Sequence, residues 1–142
     1  MFIAHGTFQV KDTHNPNIII VDATGPFNLQ AVQVYHQQIV DKLPSFTGDW
    51  AQLNIANQNC LSTPEAELEL LNLTTFKSKN GLRFAAVLFK DCICKVWVAE
   101  KIEKFYTKHN IICKIFSDQS KAMHWLTTSL DQTNNTLQSS YA

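Results

Sequence analysis

Arginine is nearly missing from this chain. Of its 12 basic residues only Arg83 carries a guanidinium, and the others are lysines. Bidentate recognition of phosphates or base edges is poorly provided for. The 12 acidic residues bring the formal net charge to zero, so nothing draws in a polyanion, and a nucleic-acid partner is disfavoured. Glycine numbers only four, and no glycine-rich phosphate loop is present, which disfavours nucleotide binding. No apolar stretch approaches membrane-spanning length. The opening residues Met1–Gly6 hold neither a basic segment nor a long apolar run. No export signal is therefore expected, and reduced thiols and a cytoplasmic location follow as expectations. The histidines form no His-x-x-x-His or Cys/His pattern, so no metal is expected. Cys92-Ile93-Cys94 has one residue between its thiols where a thioredoxin-type pair needs two. No paired carboxylates suggest acid–base chemistry. The chain is accordingly expected to be no enzyme and to need no cofactor.

What is present is a regular alternation of apolar segments. With 142 residues, 45% hydrophobic and 17% charged, the chain is long and apolar enough for one domain with a real core. The organising stretch is Asn17–Leu43: a β-branched strand Ile18–Ala23, a stop at Gly25-Pro26, and a helix over about Leu29–Leu43 that Asn28 can cap. Leu29, Val32, Tyr35, His36, Ile39, Val40 and Leu43 fall on one stripe of that helix. Before it, Phe2–Asp12 alternates as a half-buried edge strand, and the Thr13–Asn17 turn makes the two strands an antiparallel hairpin. Trp50–Ala56 reads as a third strand, followed by a polar loop Asn57–Thr63. Thr63, Pro64, Glu65 and Glu67 mark a helix start, with Leu68, Leu71, Thr75 and Phe76 expected inside. Leu82–Phe89 is the fourth strand. Lys90-Asp91 is expected to turn into a third helix with Ile93, Val96, Trp97, Ile102, Phe105 and Tyr106 inward. Ile111–Phe116 and a helix capped by Asp118 complete a domain over residues 1–130. Residues 131–142, rich in Gln, Asn, Ser and Thr, are expected to be a flexible polar tail. The fold class is α/β: a mixed, mostly parallel five-stranded sheet with an N-terminal antiparallel hairpin strand and four helices.

This order of elements resembles the SpoIIAA-like (STAS-related) family. The resemblance is carried by the hairpin strand ending in Gly25-Pro26-Phe27-Asn28, the helix that follows it, and the closing segment Ile115–Leu126 with its Ala122 before Trp125-Leu126. It implies strands in chain order with helices mainly on one face, and a regulatory module acting through protein contacts. Anti-sigma antagonists of the STAS type carry a phosphorylated serine at the start of the helix after the third strand. The matching region here is Asn59–Thr63, which makes Ser62 and Thr63 the candidate phospho-acceptors. The Asp and Gly of the family's Asp-Ser-Ser-Gly pattern are absent. Relatedness to the CRAL-TRIO group implies lipid or small apolar ligand carriage as the alternative function.

In a parallel sheet, ligands meet the carboxyl ends of the strands. The candidate rim for a protein partner or a small apolar ligand therefore comprises Phe27, Asn28, Asn59, Cys60, Lys90, Asp91 and Cys92. Asn28, Thr63, Asp91 and Asp118 are all suited to capping the helix starts there. Cys60 in its polar loop and Cys92 near a helix start carry the further alternative of a thiol-dependent enzyme. Cys113 and the aromatic residues are expected mainly in the core. A homodimer is compatible with the sequence.

Overall fold

The computed structural model describes residues 3–93 and 95–140, with side chains as far as residue 133. Met1, Phe2 and Cys94, which the expectations above include, lie outside the described residues, as do Tyr141 and Ala142. The chain runs β1 (Thr7–Asp12), β2 (Ile18–Thr24), α1 (Leu29–Lys42), β3 (Trp50–Asn59), α2 (Pro64–Lys79), β4 (Leu82–Ile93), α3 (Lys95–Lys108), β5 (Ile112–Phe116) and α4 (Gln119–Ser140). One five-stranded sheet takes the strands in chain order. β1 is antiparallel to β2, and every other pair is parallel. This is the α/β architecture expected from the sequence.

Alternate residues of the interior strands go to opposite sides of the sheet, and both sides are covered. On one, Ile18, Leu53, Ile55, Phe84 and Leu88 pack against Ala122, Leu126 and Leu130 of α4. On the other, Ile19, Val21, Trp50 and Ala85 meet Tyr35 and Ile39 of α1, Leu73 of α2 and Tyr106 of α3. Three helices thus share one face, and α4 covers the other alone. The turn between β1 and β2 is closed by Thr13, whose Oγ1 lies 2.9 Å from the Asn15 carbonyl and 2.8 Å from that of Ile18.

Several expectations differ from the structure. β1 begins at Thr7, and Ala4 before it is exposed and outside any strand. β3 and β4 run past their expected ends at Ala56 and Phe89. Each kinks through a left-handed residue, Gln58 (φ 55°) and Asp91 (φ 52°), and pairing resumes beyond at Asn59↔Ile93. Lys90, Asp91 and Cys92 therefore belong to β4. Asp91 does not cap α3, and Cys92 is not at a helix start. The buried face of α2 is Ala66, Leu73, Thr74 and Lys77, whereas Leu68 is 61% exposed. At the start of α3, Val96 and Trp97 are 69% and 50% exposed and Ile93 precedes the helix; only Val98 and Tyr106 of α3 are buried. α4 continues from Leu130 to Ser140, through the stretch read from sequence as the start of the tail.

Candidate functional site

The rim at the carboxyl ends of β2 and β3 is held together by backbone bonds. The Phe27 amide donates to the Leu61 carbonyl at 2.9 Å, and the Thr63 amide donates to the Phe27 carbonyl at 3.0 Å. Phe27 and Ser62 thereby form a parallel bridge. Gly25 makes this approach possible, because a Cβ built there would stand 2.0 Å from the Asn59 carbonyl oxygen. Asn28 caps α1 by accepting from the Ala31 amide at 3.1 Å, and it also ties down the segment before β1 through the His5 amide and the Ile3 carbonyl. Thr63 Oγ1 accepts from the Ala66 amide at 3.2 Å and caps α2. Asn59 Oδ1 accepts from the Leu61 amide.

Behind this rim lies a cavity of about 140 Å³ between the sheet and the three-helix face. Val21, Ala23, Ala56 and Val87 of the sheet line it, with Leu70 and Thr74 of α2 and Val98, Ile102 and Phe105 of α3. One wall is a continuous aromatic stack. The Phe8 ring lies 4.3 Å from Phe27 and 4.4 Å from Tyr35, centroid to centroid, in stacked geometry. On the solvent side Trp97, Lys101 and Glu67 are part-exposed. Glu67 and Lys101 form an ion pair between α2 and α3, and the Lys101 ammonium lies 4.1 Å from the Trp97 ring centroid.

The inner end of the cavity is polar, which the sequence reading missed. Lys77 is 3% exposed and Gln52 is fully buried. Lys77 Nζ donates to the Tyr35 hydroxyl at 3.0 Å and to Gln52 Oε1 at 3.2 Å. An ammonium only donates, so Gln52 must turn its oxygen toward Lys77 and its nitrogen away. Its Nε2 then donates to Asn54 Oδ1 and to the Tyr106 hydroxyl, and Asn54 Nδ2 donates to the same hydroxyl at 2.9 Å. The orientation of the whole network follows from the lysine. Among the described residues Lys77 forms no ion pair, and the one carboxylate of the cavity lining, Glu67, is engaged by Lys101. Burial holds the Tyr106 hydroxyl well above the usual phenol range; Tyr35 and Cys113 nearby push the same way, and the Asn54 bond opposes them. Tyr106 is thus a neutral phenol at ordinary pH.

Of the candidates chosen from sequence, Phe27, Cys60 and Ser62 line the cavity. Asn28, Asn59 and Thr63 surround it in capping and turn roles. Asp91 and Cys92 line a separate shallow depression with Phe89, Lys95 and Val96, and Lys90 is exposed. Burial pushes the Cys60 thiol up to about 12, and the adjacent Cys92 thiol adds to the shift. Cys60 is therefore a poor nucleophile at neutral pH. His36 is half-buried, with its Nδ1 3.4 Å from Glu69 Oε1 and its ring against Phe76. Among the described residues, no helix is long and apolar enough to cross a membrane.

No protein-family model and no curated protein matches the chain. Among solved structures it is similar to an uncharacterized protein of the DUF3478 family with a SpoIIAA-like fold, from Shewanella loihica PV-4. The match has a TM-score of 0.62 at 12% sequence identity and covers 89% of this chain and 97% of that one. At that identity the likeness speaks to architecture, and the strand order, the antiparallel first strand and the four helices agree with it: this chain has a SpoIIAA-like fold.

Proposed function

We propose that the chain is a non-catalytic binding domain that holds a small, largely apolar ligand in the cavity between the sheet and α1–α3. The observation that carries this reading is the cavity itself. Apolar walls with a few convergent polar groups at one end are the usual construction of a small-molecule site. The innermost charged group is the Lys77 ammonium, a donor, and the thiol beside the cavity is held protonated by burial, an arrangement suited to binding and not to nucleophilic chemistry. Intact-mass spectra of the purified protein, first gentle and then denaturing, test the reading. A non-covalent adduct that disappears on denaturation supports it and gives the ligand's mass. Bare protein in both spectra, together with no rise in Tm from any of a panel of small aromatic and branched-chain compounds, overturns it.

A second reading rests on a different observation. Ile93, Val96 and Trp97 are 65%, 69% and 50% exposed beside the same rim, more apolar surface than solvent favours in one place. We propose it as a surface for a protein partner, in keeping with a regulatory role. Val96→Lys is expected to abolish partner capture while leaving ligand binding in the cavity intact; unchanged capture would remove this reading.

A further inference from the structure

We propose that the ligand is a small carboxylic acid whose carboxylate sits on Lys77 Nζ and whose apolar body, about one ring in size, lies along the Phe27–Phe8–Tyr35 stack. The inference deepens the cavity reading above and rests on it.

Three observations select this ligand class. The first is charge. Lys77 is buried, lines the cavity, and has no ion-pair partner among the described residues. A cation held in a low-dielectric site attracts an anion far more strongly than it would in water. Its desolvation is already met in the folded protein, so the incoming carboxylate has only its own to offset.

The second is hydrogen-bond bookkeeping. An ammonium has three N–H groups, and the Lys77 bonds to Tyr35 and Gln52 use two of them. Tyr35 and Tyr106 accept in this network, and each keeps a hydroxyl hydrogen with no acceptor in it. The inner end of the cavity is therefore rich in donors and short of acceptors. A carboxylate only accepts, and it supplies what the network lacks.

The third is size and shape. A cavity of about 150 Å³ in a protein core accommodates benzene, and the volume here is about 140 Å³. The stack leads from Phe27 at the rim to Tyr35, whose ring centroid lies 5.1 Å from Lys77 Nζ. A flat or branched apolar body can lie along that wall with its acid group inward.

The test is isothermal titration of the full chain with phenylacetate and with its neutral isostere phenylacetamide. The expected result is at least tenfold tighter binding of the acid. Lys77→Met, verified as folded by circular dichroism, is expected to remove that preference, the acid losing at least tenfold more affinity than the amide. Should Lys77→Met not fold, the acid-to-amide ratio in the unaltered protein decides alone. Equal or tighter binding of the amide overturns the carboxylate assignment and leaves the cavity reading standing. A preference for the acid that survives in folded Lys77→Met overturns it equally. Binding of neither compound, nor of any other ring-sized neutral compound, removes the cavity reading and this inference together.

Discussion

Lys77 Nζ, on α2, donates to Gln52 Oε1, on β3, at 3.2 Å, and both side chains are buried. This one bond orients the amide of Gln52 and, through it, that of Asn54. Replacing Gln52 with Leu leaves Lys77 short of an acceptor and takes a donor from Asn54 and Tyr106. Urea denaturation should show a loss of about 2–3 kcal/mol, the cost of unmatched buried polar groups. In a Lys77→Met background the same change should cost less, with a coupling of about 1 kcal/mol or more. Additive losses would mean that the two residues act independently.

Gly25 and Asn59 set the second prediction. A Cβ at position 25 meets a backbone carbonyl oxygen at 2.0 Å, and a backbone atom cannot swing aside as a side chain would. Gly25→Ala should cost at least about 2 kcal/mol in urea denaturation, with the rim next to the cavity losing amide-exchange protection first.

The caps at the rim are unequal. Thr63→Ala removes one capping bond and should cost about 1 kcal/mol. Asn28→Ala removes a cap together with the bonds to His5 and Ile3, so its loss of stability should be the larger of the two. If Thr63 serves as a phospho-acceptor, its Oγ1 can still accept from the Ala66 amide, and the phosphate meets the positive end of α2. Ser62 lines the cavity instead, and phosphopeptide mapping tells the two proposed acceptors apart.

Alkaline pH should weaken the fold in a defined window. Burial raises the Cys60 and Cys113 thiols from 9.0 to about 12 in the folded protein. Between those values the unfolded chain has released protons that the folded chain still holds, so the stability gradient with pH is negative. Stability from these groups should be fully present below pH about 9 and fall as pH rises toward about 12. A Cys60→Ala, Cys113→Ala double variant should show a shallower decline. Alkylation of Cys60 by iodoacetamide at pH 7.5 should be slow in the native state and fast in urea.

The elements were legible because each follows from local chemistry: the β-branched run of β2, the Gly25-Pro26 stop, and the Thr63-Pro64 start. The polar end of the cavity was not. Gln52 and Asn54 alternate with apolar neighbours in β3, and that alternation normally marks a solvated face. Here it marks a covered one, because α1, α2 and α3 all dock on that side. Lys77 ends a stripe of Ala66, Leu70, Leu73 and Lys77 at helical spacing, and a lysine on an apolar stripe was the available signal. From sequence the face through Leu68, Leu71, Thr75 and Phe76 competes with it, since α2 carries leucines on several faces. The kinks at Gln58 and Asp91 carry turn formers, Asn57 and Asn59 at the first and Asp91 itself at the second, and from sequence these residues read as strand ends although pairing resumes beyond them.

A sheet whose strands lie in chain order, with α4 alone on one side, bears on how the chain is made. Each strand can join the edge left by the one before it, with no strand needing to insert between two already paired. The surface formed by Leu53, Ile55, Phe84 and Leu88 is nonetheless complete before its cover has been synthesised. Until Ala122, Leu126 and Leu130 leave the ribosome, a nascent chain carries that surface bare, and it is there that a chaperone would bind it or a prematurely ended chain would aggregate.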